Sequence, residues 1–359
     1  MTGMAATPTE VSAALDRYTK PAGLVQTLPD GRLQCLACAH LCKLAEGKRG
    51  ICKVRVNQAG TLLAPWGYVA GLQADPVEKK PFYHLLPGSL ALTFGMLGCN
   101  FHCDNCQNWF TSQMLRDPAS DDALGAIRRV DAPGVLATAR RVGARLLVSS
   151  YNEPFITTEW AAELFDTAKA GGLRTAFVSN GYGSAQALRM LAPRLDALKI
   201  DLKTMDPAGY RSLGGVLANV LATLDLALEL GLWVEVVSLV IPGFNDSTEA
   251  LYAMAQAVAA RSPNLPWHVT AFTPQYRMQD AARTSQQALV KAAEIGQEAG
   301  LRYVYAGNLP GAVGEYEDTR CPGCGTAVVR RRGFELLGLA LNDKGGCSHC
   351  GKSIPGVWG

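Results

Sequence analysis

The sequence predicts an α/β fold with parallel strands, on two observations: short apolar runs alternate with longer amphipathic ones from residue 90 onward, and unusual polar residues follow the ends of those runs. Strands are expected near 90–96, 145–150, 173–179, 197–202, 233–241, 267–272 and 302–306, with helical patterns in most intervals. That rhythm implies right-handed helical crossovers, and either a doubly wound sheet or a complete or partial barrel satisfies it. In each of these, chemistry gathers at the carboxyl ends of the strands. Those ends carry Tyr151-Asn-Glu-Pro154, Ser179-Asn-Gly-Tyr182, Asp201-Leu-Lys203, Pro242-Gly-Phe-Asn245 and Gly307-Asn308, which reads as an active-site rim.

The 359 residues suit one large catalytic domain with small appendages. Apolar residues make up 48%, charged residues 18% and the formal charge is +3, which argues against a disordered chain and against a strongly electrostatic nucleic-acid binder. No apolar run is long enough to span a bilayer, and the opening MTGMAATPTEVSAALDRYTK lacks the basic-then-apolar order of a secretory signal. A cytoplasmic location is therefore expected, with neither membrane nor nucleic acid as a partner.

Along the chain, residues 1–30 read as a lead-in, with Val11, Ala14, Leu15 and Tyr18 on one helical face and Pro21 as the stop. Residues 31–60 form a cysteine-rich metal module, Cys35-x2-Cys38-x-His40-x-Cys42-x9-Cys52, and 61–89 a connector containing DPVEKKPFYH. The catalytic core is expected over 90–312. A zinc-ribbon-like module follows over 313–359, with Cys321-Pro-Gly-Cys324, a basic triplet Arg330 to Arg332 that reads as a solvated face, and Cys347-Ser-His-Cys350.

All eleven cysteines fall into these three clusters, and an odd number at spacings of two or three suits chelation better than disulfides. The central cluster, Gly98-Cys99-Asn-Phe-His-Cys103-Asp-Asn-Cys106-Gln-Asn-Trp109, follows the first core strand directly. Three thiolates hold three irons of a cubane and leave the fourth iron open to a substrate or cofactor. The competing reading is a zinc site completed by His102. In the tail, two C-x2-C knuckles supply four thiolates, a zinc-ribbon signal with an auxiliary iron–sulfur cluster as rival; His349 is surplus to that set. The 2-3-9 spacing of Cys35, Cys38, Cys42 and Cys52 fits zinc or a second 4Fe-4S cluster, and zinc is preferred because the sequence displays no electron-relay feature.

The C-x3-C-x2-C motif after the first strand resembles the radical S-adenosylmethionine (radical SAM) superfamily. More closely, the Cys35 module, DPVEKKPFYH, LGCNFHCDNCQNW, YVYAGNLPG and the ending CGKSIPGVWG resemble the AmmeMemoRadiSam-system radical SAM enzymes, relatives of pyruvate formate-lyase activating enzymes. The resemblance covers nearly all of residues 30–359. It implies a partial (β/α)6-type TIM barrel and a radical SAM oxidoreductase or lyase-type enzyme. A 4Fe-4S cluster on Cys99, Cys103 and Cys106 would reductively cleave S-adenosylmethionine to a 5'-deoxyadenosyl radical.

The same resemblance places Asn152 and Glu153 at the methionyl amino group, with Ser179 and Asn180 at the next strand end. It places Asp201 and Lys203 near the methionyl carboxylate and a monovalent cation or substrate, and His268 against S-adenosylmethionine; the rival readings are a local ion pair and a core histidine. Ile241-Pro-Gly243 lies where an adenine-binding segment is expected. Asn105 departs from the aromatic residue that often precedes the third cysteine, which turns attention to Phe101 and Trp109 for adenine stacking. Three functions compete: hydrogen abstraction from a small-molecule substrate, beside the two AmmeMemo companion proteins; installation of a glycyl radical on a protein partner; and a metal-stabilised binding protein. The first two need an electron donor such as flavodoxin or ferredoxin.

Overall fold

The computed structural model describes residues 8–117, 125, 127–342 and 344–359. Its centre is an eight-stranded sheet: β1 (Gly71–Pro76), β2 (Leu90–Gly95), β3 (Leu146–Ser149), β4 (Arg174–Ser179), β5 (Ala197–Asp201), β6 (Trp233–Val240), β7 (Trp267–Ala271) and β8 (Val304–Gly307). Strand β1 is antiparallel to β2, and every later pair is parallel. The order follows the chain without reversal, which excludes the doubly wound alternative, since that topology requires a switch point. The seven expected strands appear within about two residues of their expected limits. Strand β1 was hidden in the connector because its polar residues, Gln73 and Asp75, break the apolar run.

Helices α1 (Ala132–Arg141), α2 (Thr158–Ala170), α3 (Ala185–Leu191), α4 (Leu217–Glu229), α5 (Thr248–Ala259) and α6 (Gln286–Glu298) make the crossovers. Side chains of Asp131, Ser184, Ser247 and Ser285 accept hydrogen bonds from the first turns of α1, α3, α5 and α6, caps worth about 1 kcal/mol each. Because side chains alternate along a strand, Leu92, Phe94, Leu147, Phe177, Leu198 and Val234 face the helices and join Trp160, Phe165, Leu188 and Leu251 in the main core. The opposite face carries Ala91, Leu146, Val148, Ala176 and Ala197, covered by Val77, Phe82, Leu85 and Leu86 of the connector. The connector therefore closes the lower part of the face on which the cavity lies.

The lead-in helix ends earlier than expected, at Leu15, because Thr19–Pro21 is drawn into antiparallel pairing with Thr61–Pro65. Residues 1–7 of the lead-in lie outside the described residues. Cys35 sits in a small antiparallel sheet of Val25–Thr27, Leu33–Cys35 and Lys43–Leu44. The tail forms a three-stranded antiparallel sheet of Thr319–Arg320, Ala327–Arg332 and Glu335–Leu339, and Val357 then bridges back to Leu85. Three motifs meet there: the His84 ring lies 2.6 Å from the Tyr305 hydroxyl and 2.6 Å from the Pro355 carbonyl oxygen.

The basic triplet is not a uniformly solvated face. Strand alternation turns Arg331 inward, where it donates to Thr319 Oγ1 (2.9 Å) and the Tyr83 carbonyl (2.7 Å) and stands 3.5 Å from buried Glu78.

Candidate active site

A cavity of about 410 Å3 opens at the carboxyl ends of the parallel strands. Ten of the core residues singled out in the sequence line it: Cys99, Cys103, Cys106, Asn152, Glu153, Ser179, Asn180, Asp201, Lys203 and His268. Asn105, Phe101 and Ile241 also line it, whereas Trp109 stacks on Tyr276 with ring centres 5.5 Å apart. Residues 99–106 form a loop rather than a helix or strand, pinned from several sides. Arg116 donates to the carbonyls of Phe101 (2.6 Å) and Cys99 (2.8 Å), and the His102 amide donates to the Leu213 carbonyl (3.1 Å). Gly214, at φ +87°, admits the His102 ring, which a Cβ there would meet at 2.6 Å. Thus His102 is exposed and packs away from the thiols, while Cys99 and Cys103 on either side are buried.

Burial pushes the Cys103 thiol up to about 11, and raises Cys99 and Cys106 as well. Three thiols that resist ionisation near neutral pH are inert as nucleophiles; a bound cationic centre would hold them as thiolates. Their surroundings suit sulfur charge: the Phe101 amide donates to Cys99 Sγ (3.3 Å), and Ser112 Oγ lies 3.0 Å from Cys106 Sγ. The donor set therefore fits an iron–sulfur cluster.

Beyond the cysteines, Asn152 Oδ1 accepts from the Met96 amide (3.0 Å) and ties the end of β3 to β2. Glu153 accepts from the Phe155 amide (3.0 Å), Ser179 Oγ (2.8 Å) and the Asn180 amide (2.8 Å), bracing the ends of β3 and β4. Asn180 Nδ2 donates to Asn100 Oδ1 (2.8 Å), which couples this brace to the cysteine loop. Burial pushes the Glu153 carboxyl up to about 7 despite the donated hydrogen bonds. A carboxyl raised above its ordinary value of 4.5 favours folding fully below about 4.5, and that stability is lost as pH rises through about 7. Glu153→Gln removes this titration: thermal melts of both proteins from pH 5 to 8 are expected to lose a pH-dependent difference of roughly 3 kcal/mol.

On β5, Lys199 and Asp201 point to the cavity, and Lys203 follows at the same period of two. Asp201 pairs with both lysines, its Oδ2 being 3.2 Å from Lys203 Nζ. Burial alone would raise Asp201, and the two lysine charges instead hold it down at about 2. Lys199 was not recognised in the sequence, although the Lys-Ile-Asp-Leu-Lys spacing carries the signal. His268 is also occupied: its Nε2 lies 2.7 Å from Glu235 Oε2 on β6.

The floor adds residues of the DPVEKKPFYH motif and Tyr151, to which the sequence assigned no individual role. Lys80 Nζ is 2.8 Å from Asp75 and 4.7 Å from the centre of the Tyr151 ring, and Tyr151 holds φ +70°, a costly backbone for a non-glycine residue. Glu78, Lys79 and Tyr83 of the connector and Phe334 of the tail also line the cavity. In the tail itself, Cys321, Cys324, Cys347 and Cys350 bring their sulfurs within 4.8 Å of one another, with exposed His349 outside the group.

The radical SAM superfamily model matches residues 94–255. The uncharacterized protein MJ0808 of Methanocaldococcus jannaschii is 32% identical over 339 residues, spanning 92% of this chain and 97% of the relative. The isethionate sulfite-lyase activating enzyme of Desulfovibrio desulfuricans is 30% identical over 166 residues, 44% of this chain and 53% of that protein. Among solved structures, a radical SAM methyltransferase from Sphaerobacter thermophilus aligns with TM-score 0.47 and 18% identity, covering 69% of this chain and 73% of that one. The chain carries a domain of the radical SAM superfamily, whose members are enzymes that use an iron–sulfur cluster and S-adenosylmethionine.

Proposed function

We propose that this protein is a radical SAM enzyme of the AmmeMemoRadiSam type that abstracts hydrogen from a small-molecule substrate. Cys99, Cys103 and Cys106 would hold the 4Fe-4S cluster. When bound, the cluster supplies the electron that cleaves S-adenosylmethionine to methionine and a 5'-deoxyadenosyl radical. Asn152, Glu153, Ser179 and Asn180 would orient the methionyl amino group, and Asp201 with Lys203 the carboxylate, with a monovalent cation beside Asp201. Ile241 and Phe101 offer apolar surface to adenine, and His268, fixed by Glu235, presents the rest of its ring to the ligand. The consecutive strand order supports curvature into a partial barrel.

The observation that carries the small-molecule reading is the composition of the cavity wall. Connector residues Glu78 to Pro81 and Tyr83, with Phe334 of the tail hairpin, line the cavity together with the cysteines, so segments outside the core take part in enclosing it. The 30% identity to an activating enzyme over 166 residues favours the second reading, an activase that installs a glycyl radical on a protein.

For the tail we propose zinc. Separations of 3.5 Å between Cys321 and Cys350 and 3.8 Å between Cys324 and Cys347 agree with the edge of a tetrahedron having ~2.3 Å zinc–sulfur bonds, about 3.8 Å. A flavodoxin or ferredoxin in the cytoplasm would deliver the electron.

The test is anaerobic reconstitution, reduction and incubation with S-adenosylmethionine in deuterium-labelled cell metabolites. Deuterium appearing in 5'-deoxyadenosine supports the small-molecule reading. A stable glycyl radical on a partner protein, with no label transferred from metabolites, overturns it in favour of the activase.

A further inference from the structure

Cys35, Cys38 and Cys52 are buried and Cys42 is half-buried, and none takes part in the mechanism above. Their module is folded onto the central cysteine loop rather than set apart from it. Gly98, the residue before Cys99, has φ +93°, and a Cβ there would lie 2.7 Å from the Cys52 carbonyl oxygen. Arg116 clamps the two segments together, donating to the carbonyls of both Ile51 and Cys99. On the other side His40 turns its Nε2 to the Asn100 carbonyl (3.0 Å), so it bridges the two loops instead of joining the four thiols. The sulfurs of Cys42 and Cys52 flank Gly50 at 3.8 and 3.6 Å from where its Cβ would stand.

The spacing of the thiols separates two metals. A tetrahedral zinc draws every pair of sulfurs to about 3.8 Å. Among the described residues the tail group alone gathers three or more ligand atoms within 4.8 Å of one another. No three of the N-terminal sulfurs meet that limit, nor do those of Cys99, Cys103 and Cys106, and an iron–sulfur cube spreads its thiolates over the corners of a larger body. With four protein thiolates, such a cube has no open iron, which suits electron transfer and not ligand activation.

We propose that Cys35, Cys38, Cys42 and Cys52 hold a redox-active iron–sulfur cluster that relays electrons to the central cluster through the Cys52–Gly98–Cys99 contact. The proposal rests on the radical SAM reading of the central site. One electron leaves the carrier, which is oxidised by one, reduces the N-terminal cluster by one, and passes on to the central cluster. The outer surface of the module suits a small acidic one-electron carrier protein. Leu41 and Ile51 are exposed next to Cys42 and Cys52 in the chain, and in the same stretch exposed Lys43, Lys48 and Lys53 outnumber its one acid, exposed Glu46, a positive balance that steers an acidic partner.

The full chain, reconstituted anaerobically, is assayed for iron, sulfide and zinc and examined by Mössbauer and electron paramagnetic resonance spectroscopy. Roughly eight irons in two four-iron clusters, with about one zinc, are expected. About four irons and two zincs would overturn the proposal, whatever the activity. Cys42→Ser is then expected to lose about half of the iron while the remaining cluster keeps its spectral change on adding S-adenosylmethionine. In that variant, reduced flavodoxin should support 5'-deoxyadenosine formation at least tenfold less well, relative to dithionite, than in the unaltered protein. An unchanged flavodoxin-to-dithionite ratio would sink the relay. Two clusters with no cleavage of S-adenosylmethionine under any reductant would sink the proposed function and leave the N-terminal cluster standing.

Discussion

Replacing Cys103 by alanine is expected to bring 5'-deoxyadenosine formation down to the level of a protein-free control, while far-ultraviolet circular dichroism stays that of the unaltered protein. Three thiolates are the minimum that holds three corners of a cubane and leaves one iron open, so a chain with only Cys99 and Cys106 keeps neither the cluster nor its open site. The loop itself should survive, because Arg116, Leu213 and Gln113 hold its backbone independently of the sulfurs. His102→Ala makes the matching control. Its ring packs on Gly214 outside the cavity, so iron content and product formation are expected to remain within about twofold of the unaltered protein. Loss of the metal in His102→Ala, with zinc in place of iron in the parent, would instead favour the zinc reading of this loop.

Glu235→Ala is expected to be the most destabilising single change in the core. This fully buried carboxylate accepts hydrogen bonds from the amides of Tyr83 (2.9 Å) and His84 (2.9 Å), the Trp233 indole (3.0 Å) and His268 (2.7 Å). It is the point at which the connector is fastened to the floor of the sheet. Truncation leaves several buried donors without an acceptor, a loss of about 3–5 kcal/mol, which in a chain of this size lowers Tm by roughly 5 °C. Burial alone would raise this carboxyl, but the His268 hydrogen bond, with the charges of His268 and His84 and the Trp233 indole, holds it down at about 2. A depressed carboxyl contributes stability that is complete above its ordinary 4.5 and disappears as pH falls through about 2. The gap in Tm between parent and variant should therefore be widest near neutral pH and close towards pH 2, as scanning calorimetry would record. A gap that stays constant down to pH 2 would mean that lost packing, not the carboxylate, sets the cost.

Much of the architecture follows from local pattern. The seven parallel strands were legible because each is an apolar run of buried-strand length between amphipathic stretches, and periodicity is a property of neighbouring residues. The cysteine spacings were legible for the same reason: ligands two or three residues apart are brought together by one turn of chain. Residues at strand ends, such as Asn152, Ser179 and Asp201, could be assigned to one rim because every parallel strand delivers its carboxyl end to the same edge.

What only the tertiary structure decided lies in contacts between residues far apart in the chain. Tyr83 meets Glu235 across 152 positions, and Arg331 meets the Tyr83 carbonyl across 248. No local period encodes either contact, so the connector's role as floor of the cavity and the inward turn of Arg331 were invisible in the sequence. The relation of the two cysteine loops is of the same kind. Cys52 and Gly98 come into contact through the folding of the N-terminal module onto the sheet, whose burial of Leu33, Leu44 and Val54 in the common core fixes its position. Spacing alone grouped the cysteines of each cluster; packing decided which groups stand close enough to act on one another.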